Sequence, residues 1–123
     1  MAEDKATVFR WMFFGAGPLE QAVVNTSFGW LPKGQLDKRR VGYGDMDDVV
    51  RALSGHLAAH DYIADGRFTA ADVFLGSQIG WGMQFGTIPA NDALTAYWSR
   101  LKDRPALQTA NAKDNALISE AKP

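Results

Sequence analysis

The chain has 123 residues, of which 46% are hydrophobic and 22% charged, and its formal net charge is −1. This length suits one domain with its own core, and the balanced charge indicates neither a nucleic-acid partner nor an anionic membrane. The lack of cysteine excludes disulfides, a thiolate nucleophile and cysteine-based metal sites. The first residues lack the basic start and apolar core of a signal peptide, so we expect a cytoplasmic protein.

The N-terminal third predicts one long helix followed by a loop. Apolar residues recur at steps of three and four from Val8 to Val23, which is typical of an amphipathic helix. Pro18 should kink this helix, because its ring removes a hydrogen bond and clashes with the carbonyl four residues earlier. Glycine, proline and basic residues then predict a connecting loop over 29–44, with room for a short turn of helix.

A second helix starts at a group of acidic residues, whose charge suits the N-terminal end of a helix dipole: Asp45, Asp47 and Asp48. Later segments repeat the apolar helical pattern, and no segment alternates as a strand does. The predicted helices cover 4–27, 45–60, 69–87, 91–103 and 105–112, followed by a polar tail at 113–123. The fold class is therefore all-α, a single bundle of about five helices in one domain over 1–123.

The central helix has the clearest start signal. The Thr69 hydroxyl can accept from the Asp72 N–H while the Asp72 carboxylate accepts from the Thr69 N–H, and Phe68 and Val73 occupy the two staple positions. These four residues are predicted to be structural. The run from Val73 to Asn91 carries no charge and is apolar on every side of a helical wheel, which predicts a helix buried among other helices.

A membrane span is the alternative interpretation of this run. Its glycines have the small-xxx-small spacing of packed transmembrane helices: Gly76, Gly80, Gly82 and Gly86. A span needs about 20 predominantly apolar residues, however, and this run contains polar side chains and is stopped by Pro89. We therefore expect no membrane insertion, and we interpret the glycines as places where neighbouring helices, or a ligand, approach the backbone.

The sequence gives only weak indications of a metal, nucleic-acid or dinucleotide site. His56 and His60 are four residues apart, as two metal ligands on one helix face would be, but no further histidine or cysteine completes a zinc site, so we expect no metal. The basic run 38–40 is too short for a nucleic-acid patch. A dinucleotide-binding motif requires a strand before its glycines, and no predicted strand precedes the glycines at 42 and 44.

Three segments together resemble the C-terminal helical domain of bacterial glutathione S-transferases. They are RWMFF at 10–14 leading to GPLE at 17–20, the FTAAD box at 68–72, and the segment from Tyr97 to RPA at 104–106. The resemblance covers roughly 5–112. It implies a domain that lines the pocket for an apolar electrophile and forms a homodimer through its first two helices.

The resemblance also implies which parts are elsewhere. Complete members have a thioredoxin-like N-terminal domain that binds glutathione and activates its thiol, and that domain is missing from this chain or separate. We therefore expect no catalytic residue here and no cofactor bound by this chain alone, with glutathione as the co-substrate of the complete protein. The resemblance places pocket residues on the first helix and, less directly, on the central helix: Arg10, Trp11, Phe14, Gly17, Gln78 and Trp81.

Two functions follow as expectations. The first is the helical electrophile-pocket and dimerisation domain of a glutathione S-transferase-like protein, inactive without the glutathione-binding domain. The alternative is a stand-alone module of the same helical type that binds other proteins without catalysis. Whether the chain belongs to an enzyme is left open by the sequence.

Overall fold

The computed structural model describes residues 2–64 and 66–121, and every regular element in those ranges is helical. An isolated antiparallel bridge joins Ala64 and Arg67. The elements are α1 Ala2–Phe14, a π-helical segment Gly15–Leu19, α2 Glu20–Ser27, α3 Gly34–Val41, α4 Met46–Ala59, α5 Ala70–Phe85, α6 Asp92–Leu101 and α7 Pro105–Ala121. The prediction of an all-α fold is confirmed.

The predicted first helix is interrupted where Pro18 lies. The Glu20 N–H donates to the Gly15 carbonyl, a bond across five residues that defines a π turn. Because proline has no N–H to give and its ring crowds the preceding turn, the wider π turn accommodates it within the helix. The predicted kink site is therefore an insertion of π-helix between α1 and α2.

Two segments predicted as largely irregular contain more helix than expected. The segment 29–44 contains α3, which ends at Gly42 in the left-handed conformation with φ of +80°. The Lys38 ammonium pairs with Asp45 at the start of α4; this contact lowers the pKa of Asp45 and raises that of Lys38. The expected tail at 113–123 continues α7 as far as Ala121. None of the α7 residues is buried, so helix propensity rather than packing explains that extension.

The core is built around α5. This helix packs against α1 and the π segment on one side and against α6 on another, while α4 contacts α6 and α2. Small residues bring α6 close: a Cβ placed on Gly80 would lie 2.7 Å from Cη2 of Trp98. Four of these elements contribute large side chains with no solvent exposure: Leu19, Leu53, Leu75, Ile79, Leu94 and Tyr97.

The expectation that α5 is buried on every side is wrong along one stripe. Val73, Trp81 and Phe85 are 56%, 67% and 63% exposed. Together with exposed Ser77 they recur every four residues, so they lie on one face of α5, here called the outer stripe. Within residues 2–64 and 66–121, no helix combines the length and the apolar character that a bilayer crossing requires.

Candidate functional site

Asp72 forms a closed polar centre on the inner side of α5. The residue is 1% exposed. Its Oδ1 accepts from the Ile63 N–H and from the Tyr97 hydroxyl, both at 2.9 Å, and its Oδ2 accepts from the Thr69 N–H at 2.9 Å. Burial, followed by the charge of Asp72, raises the pKa of Tyr97 well above its ordinary value of 10.0. A carboxylate so enclosed and so fully hydrogen-bonded serves folding.

The capping box predicted at the start of α5 is formed around the same carboxylate. Its carboxylate half is the bond from the Thr69 N–H to Asp72. The Asp72 N–H also donates to the Thr69 carbonyl at 3.0 Å, and the Thr69 hydroxyl donates to Oδ2 of Asp72 at 3.4 Å. Phe68 packs edge-on against Tyr62 and carries the Arg104 guanidinium 3.5 Å from its ring centroid.

An open apolar groove lies on the opposite side, between α2 and the outer stripe of α5. It encloses about 500 Å³. We call it the outer groove, and its lining residues are Glu20, Val23, Val24, Ser77, Gln78, Trp81, Gly82, Phe85 and Thr87. Cavities of roughly 300–1,000 Å³ with apolar linings are typical of small-molecule sites.

Two aromatic rings form one wall of the outer groove. The rings of Trp81 and Phe85 have centroids 5.1 Å apart and planes inclined by 54°. Val23 and Val24 of α2 form the facing wall. The walls meet because Gly15, in the π segment, lets the chain approach α5 so closely that a Cβ there would lie 2.9 Å from the Phe74 ring.

The polar groups of the outer groove are mostly acceptors. The Ser77 hydroxyl donates to the Val73 carbonyl at 2.6 Å, and the Thr87 hydroxyl is 3.4 Å from the Gly82 carbonyl. Both hydroxyl protons are therefore engaged within α5 and its C-terminal turn. Gln78 Oε1 is buried without a hydrogen-bond partner in the described part of the chain.

The structure brings together two of the six residues that the resemblance assigns to a pocket. Gln78 and Trp81 both line the outer groove. Trp11 is only 8% exposed and lies in the core, where its ring is 5.1 Å from Phe14 and 4.6 Å from His56. Phe14 packs against that same core.

Arg10 and Gly17 also lie outside the lining of the outer groove. Both are exposed, on α1 and in the π segment respectively. A Cβ on Gly17 would meet no atom within 4 Å, so no neighbour requires glycine at that position. Trp11 and Phe14 of the first helix thus contribute to the core, whereas the groove depends on the helix after the π segment.

The other residues that line the outer groove were not predicted as site residues. They are Glu20, Val23, Val24, Ser77, Gly82, Phe85 and Thr87. A usable signal was the four-residue spacing of Ser77, Trp81 and Phe85, which places them on one face of α5. The contribution of α2 had no comparable signal, because its orientation depends on the π segment.

The two histidines form a ring stack. Their centroids are 4.4 Å apart, and Trp11 covers the other face of His56. His56 Nε2 donates to the Ile63 carbonyl at 2.8 Å, and His60 Nδ1 donates to the His56 carbonyl at 2.9 Å, so each of these two ring nitrogens carries a proton. Across 2–64 and 66–121, no three or more His, Cys, Asp or Glu residues are grouped as metal ligands would be.

Comparison with protein-family models, with curated proteins and with solved structures finds no match to this chain.

Proposed function

We propose that the chain is the helical electrophile-pocket and dimerisation domain of a cytoplasmic glutathione S-transferase-like protein. The observation that carries the proposal is the outer groove, an apolar space of about 500 Å³ in which Gln78 and Trp81 lie side by side. The sequence resemblance assigns both residues to the electrophile pocket. The volume suits a small organic molecule.

The chemistry of the groove fits one half of a glutathione transfer site. Thiol transfer needs an activated thiolate and an apolar wall that holds the electrophile beside it. Trp81 and Phe85 supply broad, rigid apolar surface, and Val23 and Val24 complete the wall. The thiolate comes from glutathione held by a thioredoxin-like domain, so the chain alone has no turnover.

The core position of Trp11 and Phe14 gives them a supporting part in this proposal. Trp11 packs against His56 of α4 and against Phe14, and these contacts hold the end of α1 from which the π segment and α2 continue towards the groove. The proposed pocket therefore includes none of the first-helix residues that the resemblance assigns to it. Its lining comes from α2, from α5 and from Thr87 just after α5.

The pocket assignment is tested by titrating the purified chain with a neutral apolar electrophile, such as a chlorodinitrobenzene, using calorimetry. We expect Trp81→Ala to weaken binding about tenfold, because much of the apolar wall is lost. The matched control is Trp30→Ala: Trp30 is half exposed and lies outside the groove. Equal affinities of the two variants would contradict the pocket assignment.

The enzyme assignment is tested by supplying the other domain. We expect the chain alone to pass through immobilised glutathione, and we expect a thioredoxin-like reading frame beside its gene. Joining that domain to the chain should produce conjugation that Trp81→Ala impairs. Retention of the chain alone, or a gene with no such frame in its neighbourhood, would contradict the proposal.

The alternative, a stand-alone module that binds other proteins without catalysis, is favoured by apolar residues outside the groove. Phe13 and Phe28 are 75% and 83% exposed. Large exposed apolar patches often mark protein-interaction surfaces. This alternative predicts that Phe28→Ser weakens association with a partner protein while the affinity for the electrophile stays unchanged.

A further inference from the structure

We infer that the outer groove selects apolar organic cations, with a planar aromatic ammonium as the best-matched class of ligand. This inference rests on the proposed function, because it names the kind of compound that the electrophile pocket would hold. Three features of the groove support it independently: its charge, its hydrogen-bonding groups and its aromatic wall.

The charge of the groove is negative. Among the described residues that line it, Glu20 is the sole charged one, and no lysine or arginine joins it. Glu20 is exposed at the start of α2, so a ligand can reach its carboxylate while the ligand's apolar part lies between α2 and α5. A cation is attracted at this position and a carboxylate is repelled.

The hydrogen-bond acceptors of the groove also favour a cation. The protons of Ser77 and Thr87 are directed to backbone carbonyls, so their hydroxyls present lone pairs. Glu20 adds two exposed carboxylate oxygens, whereas the Gln78 oxygen that lacks a partner in the described residues is buried and faces no solvent. The donors among the lining side chains are the Gln78 amide NH₂ and the Trp81 indole N–H. The accessible acceptors of Ser77, Thr87 and Glu20 therefore suit a ligand that donates, and a carboxylate has no proton to give them.

The aromatic wall favours a cation as well. Trp81 and Phe85 are inclined to each other with centroids 5.1 Å apart, so one ring face and one ring edge are offered together. The face of an indole attracts a cation through its quadrupole, even at exposed sites. A ring on the ligand can stack on the same wall.

The test compares three probes that share one ring system: naphthylmethylammonium, naphthylmethanol and naphthoate. Calorimetry on the full chain should rank the ammonium first, the alcohol second and the carboxylate last. The preference of the ammonium over the alcohol should shrink with added salt, because the attraction to exposed Glu20 is screened. Equal affinities for the ammonium and the alcohol would overturn the inference.

A charge-neutral variant isolates the carboxylate. Glu20→Gln should weaken binding of the ammonium about two- to fivefold, as expected for an exposed ion pair, and should leave the alcohol unchanged. The matched control is Glu120→Gln, which removes an exposed carboxylate of α7 outside the groove. Equal effects of the two variants on ammonium binding would contradict the role of Glu20.

A second pair of variants locates the probe. Trp81→Ala should weaken the ammonium and the alcohol alike, whereas Trp30→Ala should affect neither. Failure of all three probes to bind would overturn the inference. So would a chain that sediments as a dimer which Trp81→Ala dissociates, because a second copy would then occupy the groove.

The outcomes separate this inference from the proposed function. If the chlorodinitrobenzene binds in the groove and the ammonium binds no better than the alcohol, the charge preference fails and the electrophile pocket stands. If the ammonium binds through Glu20 and Trp81 but the joined thioredoxin-like domain yields no conjugation, the cation site stands and the transferase assignment fails.

Discussion

The two sides of α5 differ in how many of their side chains have packing or hydrogen-bond partners within the chain. On the inner side, the Asp72 carboxylate is enclosed by three donors at 2.9 Å, and Gly80 lies directly against the Trp98 ring. On the outer side, Trp81 is 67% exposed and Gln78 Oε1 lacks a partner among the described residues. The inner side thus contributes to stability, while the outer side keeps contacts available for a ligand.

The largest expected effect comes from Asp72→Ala. The change leaves the Ile63 N–H, the Thr69 N–H and the Tyr97 hydroxyl without their acceptor, in places that water reaches poorly. We expect the free energy of unfolding to fall by about 3–5 kcal/mol, since each buried unpaired donor costs about 1–3 kcal/mol. Urea denaturation measures the loss.

The control for that variant is Asp92→Ala, which removes an exposed carboxylate from the first turn of α6. Only its interaction with the helix dipole is lost, so we expect a cost of about 0.3–1 kcal/mol. If both variants lost the same stability, the inner polar centre would contribute no more than an ordinary helix start.

Tyr97→Phe should have an intermediate effect. It removes one donor to a charged acceptor, and Asp72 keeps its two backbone donors. We expect a loss of about 1–3 kcal/mol in the free energy of unfolding at neutral pH. A loss below 0.5 kcal/mol, which is in the range of surface substitutions, would show that the bond is not formed in solution.

The same variant should alter stability at high pH. The pKa of Tyr97 is raised in the folded protein, so the folded state holds this proton more tightly than the unfolded state does. The stability contribution is complete below the unfolded pKa of 10.0 and decreases as the pH rises above it. Denaturation midpoints should therefore fall less steeply above that pH in Tyr97→Phe than in the parent chain.

Gly80→Ala tests the close packing of the inner side. The added Cβ would lie 2.7 Å from the Trp98 ring, which cannot move aside without disturbing α6. Overpacking costs about 1–3 kcal/mol, and the gain in helix propensity offsets about 1 kcal/mol, so we expect a net loss of about 1 kcal/mol. Thermal unfolding gives the measurement.

The control is Gly55→Ala in α4, where the new Cβ would meet no atom within 4 Å. There the helix propensity acts alone and should stabilise the chain by about 0.5–1 kcal/mol. The opposite signs of the two glycine variants are the expected result, and a gain at Gly80 would contradict tight packing on this side.

The smallest expected effect on stability belongs to Trp81→Ala. Because this side chain is two-thirds exposed, we expect a change within about 0.5 kcal/mol, alongside the loss of ligand affinity. If this variant loses ligand affinity but keeps its free energy of unfolding, the outer side of α5 serves binding and the inner side serves stability. A large destabilisation would show that the outer stripe is part of the core.

The sequence predicted the features that depend on local chemistry. The start of α5 was predicted from its capping box of Thr69 and Asp72, and the start of α4 from its acidic residues, two of which, Asp45 and Asp48, form a capping box in the structure. The long first helix and the site of its interruption followed from periodicity and from Pro18. The all-α class needed only these local signals.

Features that depend on distant contacts were not predicted. The bond from Tyr97 to Asp72 joins residues 25 positions apart, and no pattern within either helix indicates it. The exposure of Trp81 was missed because apolar character does not reveal whether a neighbouring helix covers a face. Only part of the candidate pocket was found, since its α2 wall depends on how two helical segments join.

The π segment controls that junction by its residue count. Successive residues of a helix point about 100° apart, so the one extra residue held in Gly15–Leu19 rotates everything after it relative to α1. Deleting exposed Ala16 would return the segment to an ordinary helical count and swing Val23 and Val24 away from α5. The rotation of α2 about its own axis, rather than the identity of any side chain, would then decide whether the groove exists.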